Sequence, residues 1–211
     1  MIKRIAIDLD NTVADFMAGA IPKMEEVFGL KVQDTSKINR IEEAFGLKPK
    51  IGSKWDKLGV DKDDYEKVLK IRQTLYVQGR LFRDLPLIEN DSWLLTKHLF
   101  EEGYKVYFMT ARTPHPVIIE DTWGWLEKHG FFFDDVFFTD FKGNLCQALD
   151  IPTIVEDERW QILACLEKGV NVIAMAQDWN GELPLTEEHR GKFHRVKSWR
   201  EMPTLIKEME Y

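Results

Sequence analysis

Cysteine is scarce: Cys146 and Cys165 are the only two in 211 residues. Two cannot form a disulfide framework, so they read as reduced, buried thiols of a cytosolic protein. Long apolar runs are lacking as well. No stretch approaches the ~20 residues that span a bilayer, and Met1 to Asp8 has no apolar signal core. The expectation is a cytoplasmic protein without a membrane partner. There is no excess of positive charge: 29 Lys and Arg face 36 Asp and Glu, a formal net charge of −7. A general nucleic-acid binder shows a basic face, so nucleic acid is disfavoured as a partner. An anionic ligand must then be held by a few local cations or by a metal. The five histidines are scattered without a pair at zinc-ligand spacing. No internal repeat and no low-complexity segment is found. What remains is an ordinary globular composition, 44% hydrophobic and 31% charged. The length suits one large domain, or one domain carrying a substantial insertion.

Ile2 to Asp8 is a short apolar run read as a buried strand. Phe16, Ala20, Met24, Val27 and Phe28 recur at helical spacing, with Gly29 as the C-cap and Pro22 as a kink or restart. From Leu30 to Asn90 no buried strand is legible. Charged helical pieces around 41–45 and 61–78 are broken by Gly46, Pro49, Gly52 and Gly59, the mark of a helical insertion. Strands and helices then alternate. Strands are expected at 104–110, 136–139, 152–156, 170–176 and 193–196. Helices are expected from Asp91 or Ser92 to Gly103, from Pro116 or Val117 to Gly130, at 143–149, at 158–168 and at 198–210. Alternation of this kind implies a parallel sheet covered on both faces, with its site at the carboxyl ends of the strands.

Those ends are polar. The first strand runs into Asp8-Leu9-Asp10-Asn11-Thr12 and the second into Thr110-Ala111-Arg112. Lys142 follows the third, and Glu156-Asp157 ends the fourth. Core packing does not explain two carboxylate pairs, a hydroxyl and an ammonium at matching ends. The carboxylates of Asp8 and Asp157, with the main-chain carbonyl of Asp10, can hold Mg²⁺ through oxygen. Asp8 is placed to attack phosphorus, and Asp10 to protonate the leaving oxygen and later take a proton from water. Thr110 and Lys142 can clamp the phosphoryl oxygens. Glu156 is either a base on metal-bound waters or a partner of Lys142. Arg112 is either a phosphate contact or the partner of an acidic loop. Asn11 either offers its amide to phosphate at a helix start or serves a turn.

The pieces Ile7-Asp8-Leu9-Asp10-Asn11-Thr12-Val13, Phe108-Met109-Thr110, Lys142 and Ile154-Val155-Glu156-Asp157 together resemble the haloacid dehalogenase superfamily of phosphotransferases. The second aspartate favours its phosphatases over its dehalogenases. The run Asp8 to Phe16, the segment Gly79 to Pro86, Trp125 to Gly130, Trp179-Asn180, and Arg195 to Trp199 further resemble the 5′(3′)-deoxyribonucleotidases. The resemblance implies an α/β fold: a Rossmann-like parallel sheet core at 1–16 and 84–211, with a helical cap at 17–83 inserted after the first strand. It also implies Mg²⁺ and nucleoside monophosphate substrates. By the same resemblance, Asn11, Phe16, Ala111 and Arg112 contact substrate, and Asp8, Asp10, Glu156 and Asp157 gather at the metal. Phe16 would lie under the nucleobase, though its helical spacing also suits a core position. Trp55 in the insertion is a candidate base-facing ring.

Two departures bear on the substrate. That family has Thr-Ser-Pro where this chain has Thr110-Ala111-Arg112, and an arginine where it has Asp140. Arg112 would then compensate from the neighbouring loop. The Thr110-Ala111-Arg112 turn also resembles the 3′-phosphatase part of polynucleotide kinases, which would make a nucleic-acid end the substrate. A metal- and nucleotide-binding sensor is the reading outside enzymes. A homodimer is compatible with the sequence.

Overall fold

The computed structural model describes residues 2–29, 41–45 and 62–209. Trp55 lies outside them. By compactness the chain divides into two units. One comprises Met1–Ala14, Leu87–Pro114 and Leu126–Tyr211, and the other comprises Asp15–Pro86 and His115–Trp125.

The first unit holds six strands: β1 (Arg4–Ile7), β2 (Lys105–Thr110), β3 (Asp135–Phe138), β4 (Thr153–Glu156), β5 (Asn171–Met175) and β6 (Phe193–Val196). They form one sheet in the order β3-β2-β1-β4-β5-β6, every pair parallel. The order reverses at β1, between β2 and β4, which is the switch point where α/β sheets open a crevice. The α/β, Rossmann-like parallel sheet expected from the sequence is thus present.

Both faces of the sheet are apolar, as a parallel sheet requires. On one, Ala6, Met109, Ile154, Val172 and Ala174 pack with Cys146 of α6 (Lys142–Ala148) and with Ile162, Cys165 and Leu166 of α7 (Arg159–Glu167). Strand alternation sends Ile5, Ile7 and Phe108 to the other face. There Phe108 meets Phe131 and Phe133 edge-on at 5.5 and 5.7 Å, and α4 (Ser92–Glu101) packs on β2. Both thiols are free and buried, and burial pushes Cys146 up to about 12 and Cys165 upward as well. They are inert packing groups.

The second unit is helical where it is described. Its helix α1 (Phe16–Phe28) starts at Asp15, whose carboxylate accepts from the Ala18 amide at 3.0 Å, and ends at Gly29 with φ 66°. Pro22 lies inside this single helix and does not restart it. The helix runs through, and proline at 22 has no N–H to give the Ala18 carbonyl. Two further helices, α2 (Ile41–Ala44) and α3 (Lys62–Gln73), lead into a π-turn at Thr74–Gln78. Arg80, itself in a left-handed conformation (φ 51°), forks onto Asp121 at 2.6 to 2.9 Å. Trp125, in the part of α5 (Pro116–Lys128) that belongs to this unit, donates to the Leu85 carbonyl at 2.7 Å.

Other boundaries shift by a residue or two, as helix and strand ends do. The last expected helix, 198–210, is in fact two pieces. A 3-10 turn at Trp199–Glu201 precedes the helix Met202–Glu208, because Pro203 suits a helix start and not a helix interior.

Candidate active site

The β1–β4 ladder continues one residue past Ile7: the Asp8 amide donates to the Val155 carbonyl at 2.9 Å. Asp8 therefore lies beside the end of β4, where Glu156 is the last strand residue and Asp157 follows. The chain then winds tightly. The amides of Thr12, Val13 and Ala14 converge on the Leu9 carbonyl at 3.3, 2.9 and 2.9 Å. Asn11 takes φ 59°, a conformation asparagine tolerates, and its amide donates to Ala14 within the turn at 2.7 Å. The first helix starts five residues later, at Phe16, so Asn11 does not offer its amide from a helix N-terminus.

Lys142 opens α6 and is 2% exposed. Its ammonium donates to Asp8 and, at 2.6 Å, to Glu156. It reaches them because Gly143 lets α6 approach α7 closely. A Cβ at position 143 would sit 2.8 Å from the Ala164 carbonyl oxygen. The other oxygen of Glu156 accepts the amides of Asp157 and Glu158 at 3.2 and 3.0 Å. Glu156 is thus the partner of Lys142 and a clasp on its own loop. Asp157 receives one long hydrogen bond from the Thr12 hydroxyl, at 3.5 Å.

Among the described residues, Asp8, Glu156 and Asp157 each offer a carboxylate oxygen within 4.8 Å of the others, and all three are buried. One ammonium faces three carboxylates, so two negative charges are left over. Burial, reinforced by Glu156, pushes Asp8 up to about 7 even though Lys142 pulls the other way. Burial and then Asp8 and Glu156 raise Asp157 well above the usual carboxylate range. Burial alone would lower Lys142, but the two carboxylates beside it outweigh burial and keep it firmly charged. A surplus of two negative charges on hard oxygen donors fits a divalent cation such as Mg²⁺. Asp8 and Asp157 would be its carboxylate ligands, with Glu156 held behind them by Lys142.

Asp10 is not in the cluster of three; the Arg112 side chain, 1% exposed, forks onto it, Nε to Oδ2 at 2.9 Å and Nη2 to Oδ1 at 2.6 Å. Thr110 ends β2, and its hydroxyl oxygen accepts the Arg112 amide at 3.2 Å. Its hydroxyl proton is therefore directed to a different acceptor. Ala111 between them is exposed. Asp8, Asp10, Asn11, Thr110, Ala111, Arg112, Lys142, Glu156 and Asp157 all come from the first unit. Phe16 belongs to the second, where its ring meets Tyr76 and Phe82 at 6.3 and 6.2 Å.

Sequence reasoning assigned no role to the loop after β5. There Asn180, fully buried, uses every hydrogen-bonding site of its amide. It donates to the carbonyls of Asp157 and Met175 at 2.8 and 2.7 Å. It accepts from the Gln177 amide and from Arg195 at 3.0 and 3.1 Å. Trp179 also donates to the Asp157 carbonyl, at 3.2 Å, and Gln177 to that of Asn11, at 2.8 Å. The rule that singled out the other strand ends also covers this one.

No protein-family model matches the sequence, and a comparison with curated proteins gives no match. Solved structures do match. A predicted phosphatase from Clostridium acetobutylicum superposes with a TM-score of 0.66 at 15% identity, over 99% of both chains. The predicted HAD-hydrolase YfnB from Bacillus subtilis, solved bound to magnesium, gives 0.66 at 15%, over 97% of this chain and 98% of that one. A predicted β-phosphoglucomutase from Thermotoga maritima gives 0.57 at 14%, over 98% and 99%. At such identities the likeness is one of fold: the chain has the fold of the haloacid dehalogenase-like hydrolases.

Proposed function

We propose that this protein is a Mg²⁺-dependent phosphomonoesterase acting through a phosphorylated aspartate. The observation that carries this is the buried Asp8–Glu156–Asp157 cluster, two negative charges in excess, at the switch point of the sheet with Asp10 two residues after Asp8. Bound there, Mg²⁺ would neutralise that surplus and draw charge from the phosphoryl oxygens.

Asp8 attacks phosphorus through a carboxylate oxygen. The ester bond breaks, and the departing alcohol oxygen takes its proton from Asp10. Water then attacks the phosphorus of the acyl phosphate and gives a proton to Asp10, which releases inorganic phosphate and restores the Asp8 carboxylate. Thr110 and Lys142 bind the phosphoryl oxygens, and the ammonium offsets repulsion between an anionic nucleophile and an anionic ester. Lys142 is already anchored by Glu156 at 2.6 Å, so its charge needs little reorganisation during the reaction.

Nucleoside monophosphates are the proposed substrate class. Support comes from the resemblance of the Asp8–Phe16, Gly79–Pro86 and Trp179–Asn180 segments to the deoxyribonucleotidases. The test is phosphate release, with and without Mg²⁺, from nucleoside and deoxynucleoside monophosphates, sugar phosphates and a 3′-phosphorylated oligonucleotide. Mg²⁺-dependent release that favours the mononucleotides is expected. Asp8→Asn should lower it at least ~10⁴-fold while circular dichroism stays unchanged. Release confined to other esters would discard the nucleotide class, and full activity of Asp8→Asn would discard the mechanism.

A further inference from the structure

An arginine beside a candidate phosphate site is ordinarily taken as a phosphate ligand. The placement of Arg112 does not suit that role. Its side chain is 1% exposed, and two of its donors close on the two oxygens of Asp10. Its main-chain amide is used as well, on the Thr110 hydroxyl oxygen at 3.2 Å. We propose that Arg112 is a positioning residue for the leaving-group acid: its buried fork fixes the plane of the Asp10 carboxyl and so sets where that group delivers its proton. The inference rests on the phosphomonoesterase reading given above.

The physical case is geometric. A carboxylate on a flexible turn rotates about its last torsion, and a proton donor is useful only within hydrogen-bond reach of the departing oxygen. A guanidinium fork suppresses that rotation because it binds both oxygens in one plane. A carboxylate has about four lone-pair directions, so two stay available on the side facing away from the fork. Burial of the guanidinium shields its side of the pair from competing water, while the Asp10 carboxyl, 25% exposed, keeps an open side. Arg112 also joins two strand ends: 102 residues separate it from Asp10, and the pair ties the loop after β2 to the turn after β1. The same residue thus holds Asp10 through its side chain and aims Thr110 through its main chain.

An acid matters in proportion to how poor the leaving group is. An alkoxide needs protonation as it departs, whereas p-nitrophenolate hardly does. The readout is therefore the ratio of kcat/KM for a nucleoside monophosphate, or whichever alkyl ester the panel finds, to that for p-nitrophenyl phosphate. This parameter covers the steps up to departure of the alcohol. Arg112→Gln should lower the ratio about 10-fold or more, within the ~10² to 10⁴ that acid catalysis supplies. Arg112→Lys, which keeps the charge and loses the fork, should fall between Arg112→Gln and wild type. In an Asp10→Asn background, Arg112→Gln should leave the ratio unchanged to within about twofold, since two residues acting as a unit are not additive.

An equal fall on both esters would overturn the proposal, because a phosphate ligand or a purely structural residue affects both alike. A further fall of the ratio in the Asp10→Asn background would overturn it too. If the wild type releases phosphate but Asp10→Asn alone leaves the ratio untouched, the assignment of Asp10 as acid fails, and the role of Arg112 with it. If no ester is hydrolysed at all, the phosphomonoesterase reading itself has failed. Should near-ultraviolet circular dichroism show Arg112→Gln to be misfolded, Arg112→Lys carries the same comparison.

Discussion

Three buried carboxylates around a single ammonium make a group that is unfavourable by itself, since each ion loses its hydration and the charges do not cancel. Asp8 expresses the imbalance. Its pKa is pushed up to about 7, above the ordinary aspartate value, first by burial and then by Glu156. The folded state therefore binds a proton more tightly than the unfolded chain does. Stability is fully present below about pH 4 at this site and is lost as pH rises through 7. Asp157, raised in the same sense, adds to the trend. Urea unfolding of the metal-free protein should show a loss of stability between about pH 5 and 8. Asp8→Asn should flatten that profile and be the more stable protein at pH 8 without metal. A wild-type profile that rises over this range would show that the cluster is not buried as described. The residue types were legible in the sequence because each stands just after an apolar run. Their pairing was not. Whether Glu156 faces Lys142, and whether Arg112 faces Asp10 or a phosphate, depends on side chains brought together across 14 and 102 residues.

At the scale of elements, the site is the edge of a sheet held in register by loops. Asn180 is the clearest case, because its amide joins the loops after β4 and β5 to Arg195 of β6. Truncating it strips a donor from the carbonyls of Met175 and Asp157, the latter keeping Trp179, and removes the acceptor of the Gln177 amide. Asn180→Ala should therefore cost about 2–6 kcal/mol in chemical unfolding, at 1–3 kcal/mol for each of the two groups, the Met175 carbonyl and the Gln177 amide, that lose this partner. Because one of those carbonyls belongs to Asp157, it should also weaken Mg²⁺ binding, measured by calorimetry, about 10-fold or more. Unchanged affinity would separate this hub from the metal site. The strands and most helices were readable from periodicity and from the glycines that end them, since Gly29, Gly103, Gly130 and Gly169 all take positive φ. Pro22 does not restart the first helix, because proline lowers the odds of a helix without forbidding one. The break at Trp199–Glu201 was missed because a 3-10 turn and a first helical turn share one hydrophobic spacing.

For the whole molecule, a ligand that binds only the folded state stabilises all of it. Mg²⁺ at about 100 times its dissociation constant should add about 2.7 kcal/mol. For a chain of 211 residues that raises Tm by about 5–10 °C. The shift should vanish with chelator and shrink in Asp157→Asn; an equal shift in that variant would place the cation elsewhere.

The sequence by itself determined the alternation of strands and helices, and with it the parallel sheet and the edge on which Asp8, Thr110, Lys142 and Asp157 would meet. Hydrophobic periodicity and strand-end position are local properties, and local properties survive in one dimension. Only the tertiary structure decided what those residues do to one another. The closure of Arg112 on Asp10, the anchoring of Lys142 by Glu156 and the grip of Asn180 on Asp157 are contacts between distant segments. The same holds for the grouping of His115–Trp125 with Asp15–Pro86. A helix period shows that one face is buried, but the partner of that face is chosen by packing in three dimensions.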